Sequence, residues 1–167
     1  AGLSLVGRVI YFFTAPIATV MFPIIVRKYT RSEIYHSTFK VSLLFVSLSS
    51  LALTILYFIS PQFIIKLFLK NPDYLQASYL LGFFGFFMTL YVMLYIFTNF
   101  YLSIKITKVY LPILGGALLQ AVLLWFFHET FFEVIVISFI STSLPLVLLV
   151  VYYLKLYEPS FFNRSRL

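Results

Sequence analysis

The sequence predicts an all-α fold: a polytopic transmembrane bundle of about five spanning helices plus one short interfacial helix. Hydrophobic residues make up 62% of the chain and charged residues only 10%, whereas soluble domains carry about 25% charged residues. Runs such as Val41–Ser60 also lack the polar and apolar alternation of a membrane barrel. Roughly 20 apolar residues in helix cross a bilayer, and stretches near this length occupy 2–26, 39–60, 77–103, 109–127 and 134–154.

Residues 61–70 form a separate short element. Ser60 before Pro61 has the pattern of an N-cap followed by proline in the first helical position. Three polar residues then recur every four positions on an otherwise apolar helix, namely Gln62, Lys66 and Lys70. One polar stripe on an apolar helix is typical of a helix that lies in the membrane interface. Asn71-Pro72-Asp73 is expected to end it.

The connections between the spans differ in basic residues. The second connection carries only Lys66 and Lys70, and the fourth carries none. The first and third connections and the segment after the fifth span carry nine, namely Arg27, Lys28, Arg31, Lys40, Lys105, Lys108, Lys155, Arg164 and Arg166. The positive-inside rule therefore predicts that these connections and the C-terminus are cytoplasmic. Because topology accounts for the net charge of +7, nucleic-acid binding is not expected.

Two predicted spans contain an internal proline. Pro16 frees the carbonyl of Phe12, and Pro145 frees that of Ser141, because proline has no amide hydrogen to donate. Freed carbonyls in lipid need another partner, often a hydroxyl or water. Pro16 and Pro145 are therefore hinge candidates in a moving transporter. A static kink is the equally weighted alternative, since proline is common in transmembrane helices.

Arg8 is the charged residue that lies well inside a predicted span. Insertion of an arginine near a helix centre costs about 2.5–3.5 kcal/mol, which the apolar residues of the same span outweigh. A retained intramembrane arginine usually faces a bundle interior or an aqueous cavity, and its guanidinium can bind phosphate through two hydrogen bonds. The alternative is that Arg8, about two turns into the helix, extends to the outer interface.

Asn99 and Gln120 are the other strongly polar side chains within the spans. Each could contact substrate in a cavity, but a hydrogen bond between helices is the favoured interpretation. Small residues also recur at helical spacing, and these predict close helix packing: Ser47, Ser50 and Thr54 in the second span, and Gly82, Gly85, Gly115 and Gly116. We expect most Tyr and Phe side chains to face lipid or the interface.

Enzymatic chemistry is not expected. The chain has no cysteine, and the five predicted spans contain no Asp, Glu or His. His36 and His128 fall in predicted connections, without the paired carboxylates that a metal or hydrolytic site needs. No hydrolase, phosphate-loop or zinc-helix motif is present. The sequence therefore predicts no catalytic residue, no metal site and no cofactor.

Three passages carry a family resemblance. Ala1–Leu5 leads through an apolar helix to Val20-Met21-Phe22-Pro23 and a basic loop. The short element Phe63–Leu69 runs on to Tyr74 and a new span, and Thr98–Ser103 precedes a lysine-rich turn and another span. In this order the chain resembles the C-terminal half of a polysaccharide-exporting flippase of the multidrug/oligosaccharidyl-lipid/polysaccharide superfamily. It departs from the family at 70–72, where a common glycine is missing.

The resemblance implies a transporter that flips a lipid-linked oligosaccharide across the cytoplasmic membrane by alternating access, for envelope polysaccharide synthesis. Residues 1–157 would be the C-terminal lobe and 158–167 a cytoplasmic tail. The start at Ala1, without methionine, is interpreted as that of a fragment whose partner is a missing N-terminal lobe. Arg8, Asn99 and Gln120 would be the cavity candidates. Alternatives are a cation-coupled drug exporter of the same superfamily, a membrane-embedded lipid enzyme, and a membrane subunit without transport activity.

Overall fold

The computed structural model describes the backbone of residues 2–68 and 78–162, and the side chains of residues 5–68 and 78–156. All regular structure in these ranges is helical. The helices are α1 (Gly2–Gly7), α2 (Val9–Thr30), α3 (His36–Ile59), α4 (Pro61–Phe68), α5 (Leu80–Ser103), α6 (Tyr110–Phe126) and α7 (Phe131–Phe162), with a 3-10 turn at Thr107–Val109 before α6.

Five segments within the described residues are long and apolar enough to cross a membrane. They are Leu5–Thr30, His36–Ile59, Leu80–Ser103, Thr107–Phe126 and Phe131–Leu156. The first combines α1 and α2, which are separated only by Arg8. The predicted fold class is therefore confirmed, and the chain is a helical membrane protein with five candidate spans.

Helix α5 lies at the centre of the bundle. It packs against α2, α3 and α7, and α2 also packs against α3. Helix α6 is peripheral, and its main helical neighbour is α7. Burial agrees with this arrangement, since half of the most apolar window of α5 is buried in the protein but only 11% of that of α6. Most of α6 therefore has no cover from the described chain.

Helices α2 and α5 end in the same C-terminal motif. Ser32 (φ 55°) and Lys105 (φ 64°) adopt the left-handed conformation. The amide of Glu33 donates to the carbonyl of Lys28 (2.9 Å), and the amide of Ile106 donates to that of Tyr101 (3.0 Å). These six-to-one hydrogen bonds are the mark of the Schellman motif. The motif ends α2 at Thr30, whereas the apolar stretch predicted from the sequence ends near residue 26. The two differ because hydropathy shows which residues are soluble in lipid and does not show where a helix ends.

Helix α7 begins with a capping box. The amide of Glu133 donates to the hydroxyl of Thr130 (3.2 Å), and the carboxylate of Glu133 accepts from the amides of Thr130 (3.4 Å) and Glu129 (3.1 Å). Reciprocal bonds of this kind satisfy amides that have no partner within the helix. Helix α7 continues to Phe162, so the backbone stays helical into the segment predicted as a tail.

Helix α4 confirms the predicted short element over Pro61–Phe68. Ile64 and Ile65 are buried, while Gln62 and Lys66 are exposed. The amphipathic character of the sequence is therefore present in the folded helix, and its place in the membrane interface stays a prediction. Lys70 and the expected stop at Asn71-Pro72-Asp73 lie outside the described residues.

Aromatic side chains join three helices at the basic end of the bundle. Phe39 of α3 stacks on Phe100 of α5 with ring centroids 4.0 Å apart, and Tyr153 of α7 contacts both rings. Phe39 and Phe100 are fully buried. The expectation that Tyr and Phe mostly face lipid is therefore wrong for this cluster, because aromatic rings also pack well against each other between helices. The cluster brings the first and third connections and the end of α7 together, as the basic pattern predicts.

Candidate functional site

Arg8 lies at the junction of α1 and α2 with its side chain exposed. Its carbonyl accepts a hydrogen bond from the amide of Phe12 (3.1 Å), so the chain stays nearly helical through the junction. The ion pair recorded among the described residues is that of Arg31 with Glu33, so no described carboxylate pairs with Arg8. Phe12 and Thr19, four and eleven residues after Arg8, are exposed on the same side of α2.

Asn99 is half-buried on α5 and hydrogen-bonds its own helix. Its side-chain amide donates to the carbonyl of Tyr95 (2.8 Å), so it makes neither the expected bond between helices nor a contact with Arg8. Gly7, next to Arg8, packs against Phe84 near the start of α5. Asn99 lies 15 residues beyond Phe84, which is roughly 22 Å along the helix axis. Arg8 and Asn99 therefore cannot belong to one small site.

Gln120 links α6 to α7. Its side-chain amide donates to the hydroxyl of Ser138 (3.0 Å). The favoured interpretation of Gln120 as a group that hydrogen-bonds between helices is confirmed. It is distant in the bundle from the junction of α1 and α2, because α6 packs on α7 and not on α2. The three cavity candidates are thus held at three separate places.

The two hinge candidates have different surroundings. Pro16 is exposed on α2, whereas Pro145 is buried where α7 meets α6. Both helices are continuous through the proline. The nearby hydroxyls do not serve the freed carbonyls: Thr14 donates to the carbonyl of Ile10 (2.8 Å) and Ser143 to that of Ile140 (2.9 Å). Whether Pro16 and Pro145 act as hinges stays a prediction.

A buried hydroxyl pair ties α3 to α5. The side-chain oxygens of Thr54 and Thr89 lie 2.8 Å apart, and each is within 3.1 Å of the carbonyl of Gly85. Ser50, one turn before Thr54, is fully buried, and its carbonyl accepts from Thr89 at 3.4 Å. The predicted packing seam of small residues on α3 is therefore confirmed, with hydrogen bonds across it.

Two buried tyrosines extend this pattern of side-chain to backbone bonds. Tyr57 of α3 donates to the carbonyl of Val6 in α1, and Tyr101 of α5 donates to that of Leu149 in α7, both at 2.7 Å. A buried phenol needs such a partner because an unpaired hydroxyl in an apolar interior is costly. The sequence did not single out these tyrosines, because aromatic residues with this role look the same in sequence as lipid-facing ones.

The glycines predicted to allow close approach are confirmed except at one position. A Cβ at Gly85 would lie 2.9 Å from the ring of Tyr57, and one at Gly82 would meet the ring of Phe58. A Cβ at Gly116 would lie 2.8 Å from the carbonyl oxygen of Ser141, whereas a Cβ at Gly115 would meet no atom of another described element within 4 Å. Three of these four glycines are therefore positions where a neighbouring helix requires the absence of a side chain.

The described residues contain no cluster of three His, Asp or Glu side chains that could hold a metal ion. His36, which we placed in a connection, is the first residue of α3. Comparison with known proteins gave no match to a family model, a curated protein or a solved structure. Evidence for a function therefore comes from this chain's own polar groups and from its membrane architecture.

Proposed function

We propose that this chain is the C-terminal lobe of a flippase that moves a lipid-linked oligosaccharide across the cytoplasmic membrane by alternating access. Such a lobe supplies half of a cavity, and a preceding lobe supplies the other half. The proposal rests on the resemblance of three sequence passages and on the placement of Arg8. It is a transport function and requires no catalytic residue.

The position of Arg8 is the structural observation that most supports the proposal. A guanidinium within an apolar span has to be offset by water, a carboxylate or an anionic ligand. The described chain gives Arg8 no carboxylate, and its side chain is exposed on a surface that no other described helix covers. A second lobe on that surface would enclose Arg8 in a cavity, where it could bind the pyrophosphate of the carrier lipid through two hydrogen bonds.

The basic end of the bundle supports an orientation for this lobe. Described residues Arg27, Lys28, Arg31, Lys105 and Lys155 lie at the same end of the bundle, near the ends of α2, α5 and α7. At this end the aromatic cluster of Phe39, Phe100 and Tyr153 holds α3, α5 and α7 together. By the positive-inside rule this end faces the cytoplasm. The chain would then begin outside and end inside, and Arg8 would lie in the outer half of the membrane.

The test is reconstitution of the complete protein, encoded by the gene that contains this sequence, into liposomes with a fluorescent lipid-linked oligosaccharide. Movement is measured as the fraction of the oligosaccharide that an impermeant glycosidase can reach over time. We expect faster exchange between leaflets than in protein-free liposomes. Exchange at the protein-free rate, together with efflux of an organic cation dye from the same liposomes, would identify a drug exporter and refute the proposal.

A further inference from the structure

An open groove of about 350 Å³ lies between α2 and α3 near the basic end. Its lining on α2 is apolar, and the two residues from α3 each carry a hydroxyl. The lining residues are Pro16, Ile17, Val20, Met21, Ile24, Thr38 and Ser42. Along α2 the groove extends from Pro16 to Ile24, which is roughly 12 Å. A trough of this length and composition fits part of a fatty-acyl chain.

Two basic side chains lie at one end of the groove. Arg27 and Lys28 follow Ile24 by three and four residues, so they lie on the same side of α2, one turn beyond it. The ammonium of Lys28 donates to the hydroxyl of Thr38 (2.9 Å), which itself lines the groove. The end of the groove is therefore cationic, and Lys28 is positioned there by the helix across the groove.

The acidic side chain near this end of the groove already forms an ion pair. Glu33 lies in the adjoining connection, and its carboxylate is 3.9 Å from the guanidinium of Arg31. Both side chains of that pair are at least half exposed. Among the described residues no acidic side chain is recorded in an ion pair with Arg27 or Lys28. An apolar trough that ends in two such cations is complementary to a lipid with one acyl chain in the groove and an anionic headgroup at its end.

We propose that this groove binds an anionic phospholipid, with its phosphate at Arg27 and Lys28 and an acyl chain along Pro16 to Ile24. Basic pockets between transmembrane helices bind anionic headgroups in general. The inference does not depend on the proposed transport function. Val20 lies 12 residues after Arg8, which is about 120° around the helix, so the groove and Arg8 occupy different edges of α2.

The test uses the purified chain in nanodiscs of phosphatidylcholine, to which phosphatidylglycerol is added at a low mole fraction. Lipid that stays bound after transfer to detergent is counted by native mass spectrometry. We expect phosphatidylglycerol to be retained in preference to phosphatidylcholine. Neutralising both cations in the double variant Arg27→Gln/Lys28→Gln should reduce this retention about 25-fold, since each basic residue near an anionic surface contributes roughly fivefold.

Two control variants separate the groove from general surface charge. Lys105→Gln/Lys108→Gln removes the same charge from an exposed connection at the same end of the bundle, and should leave retention unchanged. Val20→Trp fills the groove and keeps both cations, and should also reduce retention several-fold. The exchange Arg27→Lys/Lys28→Arg keeps the charge and should retain the lipid. Circular dichroism of each variant establishes that the helices remain folded.

Four outcomes would overturn the inference. Equal retention of the two lipids would show that the charge of the headgroup is not recognised. An equal loss in the two double-glutamine variants would show attraction to the basic surface as a whole. Unchanged retention in folded Val20→Trp would show that no acyl chain lies in the groove. Glycerol phosphate added as a soluble competitor should not displace the lipid, because it lacks the acyl chain, and displacement would also count against the groove.

Discussion

Gly116 of α6 lies directly against the carbonyl oxygen of Ser141 in α7. A Cβ at Gly116 would be 2.8 Å from that oxygen and 2.9 Å from the ring of Pro145. Pro145 cannot donate to the carbonyl of Ser141, so this oxygen is left without its helical partner on the side where α6 packs. The glycine lets the two backbones approach more closely than any residue with a side chain would allow. The hydroxyl of Ser141 is also buried, and no described residue hydrogen-bonds to it.

The first prediction concerns this contact. Gly116→Ala should lower the free energy of unfolding by about 1–3 kcal/mol, the usual cost of overpacking a close interface, because the added methyl meets backbone and a rigid ring. The measurement is thermal unfolding of the purified chain in detergent, followed by circular dichroism. Gly115→Ala is the matched control.

A Cβ at Gly115 would meet no atom of another element within 4 Å in the part of the chain that the structure describes. Its replacement by alanine therefore gains helix propensity, up to about 1 kcal/mol, without a clash. Gly116→Ala should therefore lower the unfolding temperature, whereas Gly115→Ala should raise it or leave it unchanged. A similar loss of stability in both would show that the contact of Gly116 with Ser141 has no energetic role.

The second prediction concerns the hydroxyl pair between α3 and α5. Thr89→Val should destabilise the chain by about 0.6 kcal/mol and no more than about 1.7 kcal/mol, the range for single hydrogen bonds between membrane helices. The effect is small because Thr54 can still donate to the carbonyl of Gly85. A double-mutant cycle with Thr54→Val measures the coupling between the two hydroxyls.

Thr19→Val serves as the control for this cycle. Thr19 is exposed and donates to the carbonyl of Ala15 in its own helix (3.0 Å), so its loss should not change the packing of α3 on α5. Additive effects of Thr54→Val and Thr89→Val, with no coupling beyond measurement error, would contradict the hydrogen bond at 2.8 Å.

Much of the fold follows from the sequence because the bilayer imposes one strong rule. Backbone groups in lipid must be satisfied within the segment, so an apolar stretch of the right length becomes a helix. The helix ends are less predictable. Ser32 and Lys105 adopt a left-handed conformation without being glycine, and neither residue type signals it. The capping box at Thr130 and Glu133 does have a signal, the Thr-x-x-Glu pattern before an apolar run.

The candidate site was predictable only in part. Residue type identifies Arg8, Asn99 and Gln120 as costly in lipid, but not which partner each has. Gln120 bonds another helix and Asn99 its own, and both are compatible with the same hydropathy pattern. The groove of α2 and α3 could not be predicted, because it depends on how the two helices pack together and not on their composition.

The third prediction concerns topology. The chain has no cysteine, so single cysteines can be introduced at Thr107, in the third connection, and at His128, in the fourth. Both positions are exposed. The excess of basic residues at the end of the bundle that contains the third connection predicts a cytoplasmic location for Thr107. An impermeant maleimide added to intact cells should label His128→Cys and not Thr107→Cys.

Labelling of Thr107→Cys after cells are permeabilised shows that the position is reactive once the reagent can reach it. Labelling of Thr107→Cys but not His128→Cys in intact cells would reverse the topology. It would place Arg8 in the inner half of the membrane and remove the orientation on which the proposed function depends.

The fourth prediction concerns Arg8 in the complete transporter. Arg8→Ala should reduce transport of the lipid-linked oligosaccharide about tenfold or more, since a hydrogen bond to a charged group contributes roughly 1.5–3 kcal/mol. Arg8→Lys should retain part of the activity, because it keeps the charge but loses the two-pronged geometry of the guanidinium. The measurement is the rate of oligosaccharide exchange in liposomes that contain equal amounts of each variant.

Thr19→Ala is the control on the same edge of α2, since Thr19 follows Arg8 by 11 residues, or about three turns. Its hydroxyl bonds only its own helix among the contacts described, so transport should be unchanged. Near-normal transport by Arg8→Ala would mean that the side chain only extends to the outer interface. If Arg8→Lys and Arg8→Ala lose transport equally while both proteins insert and fold, the guanidinium geometry matters and the charge alone does not. The expected partial activity of Arg8→Lys would show that both charge and geometry contribute, because an ammonium attracts phosphate without matching its geometry.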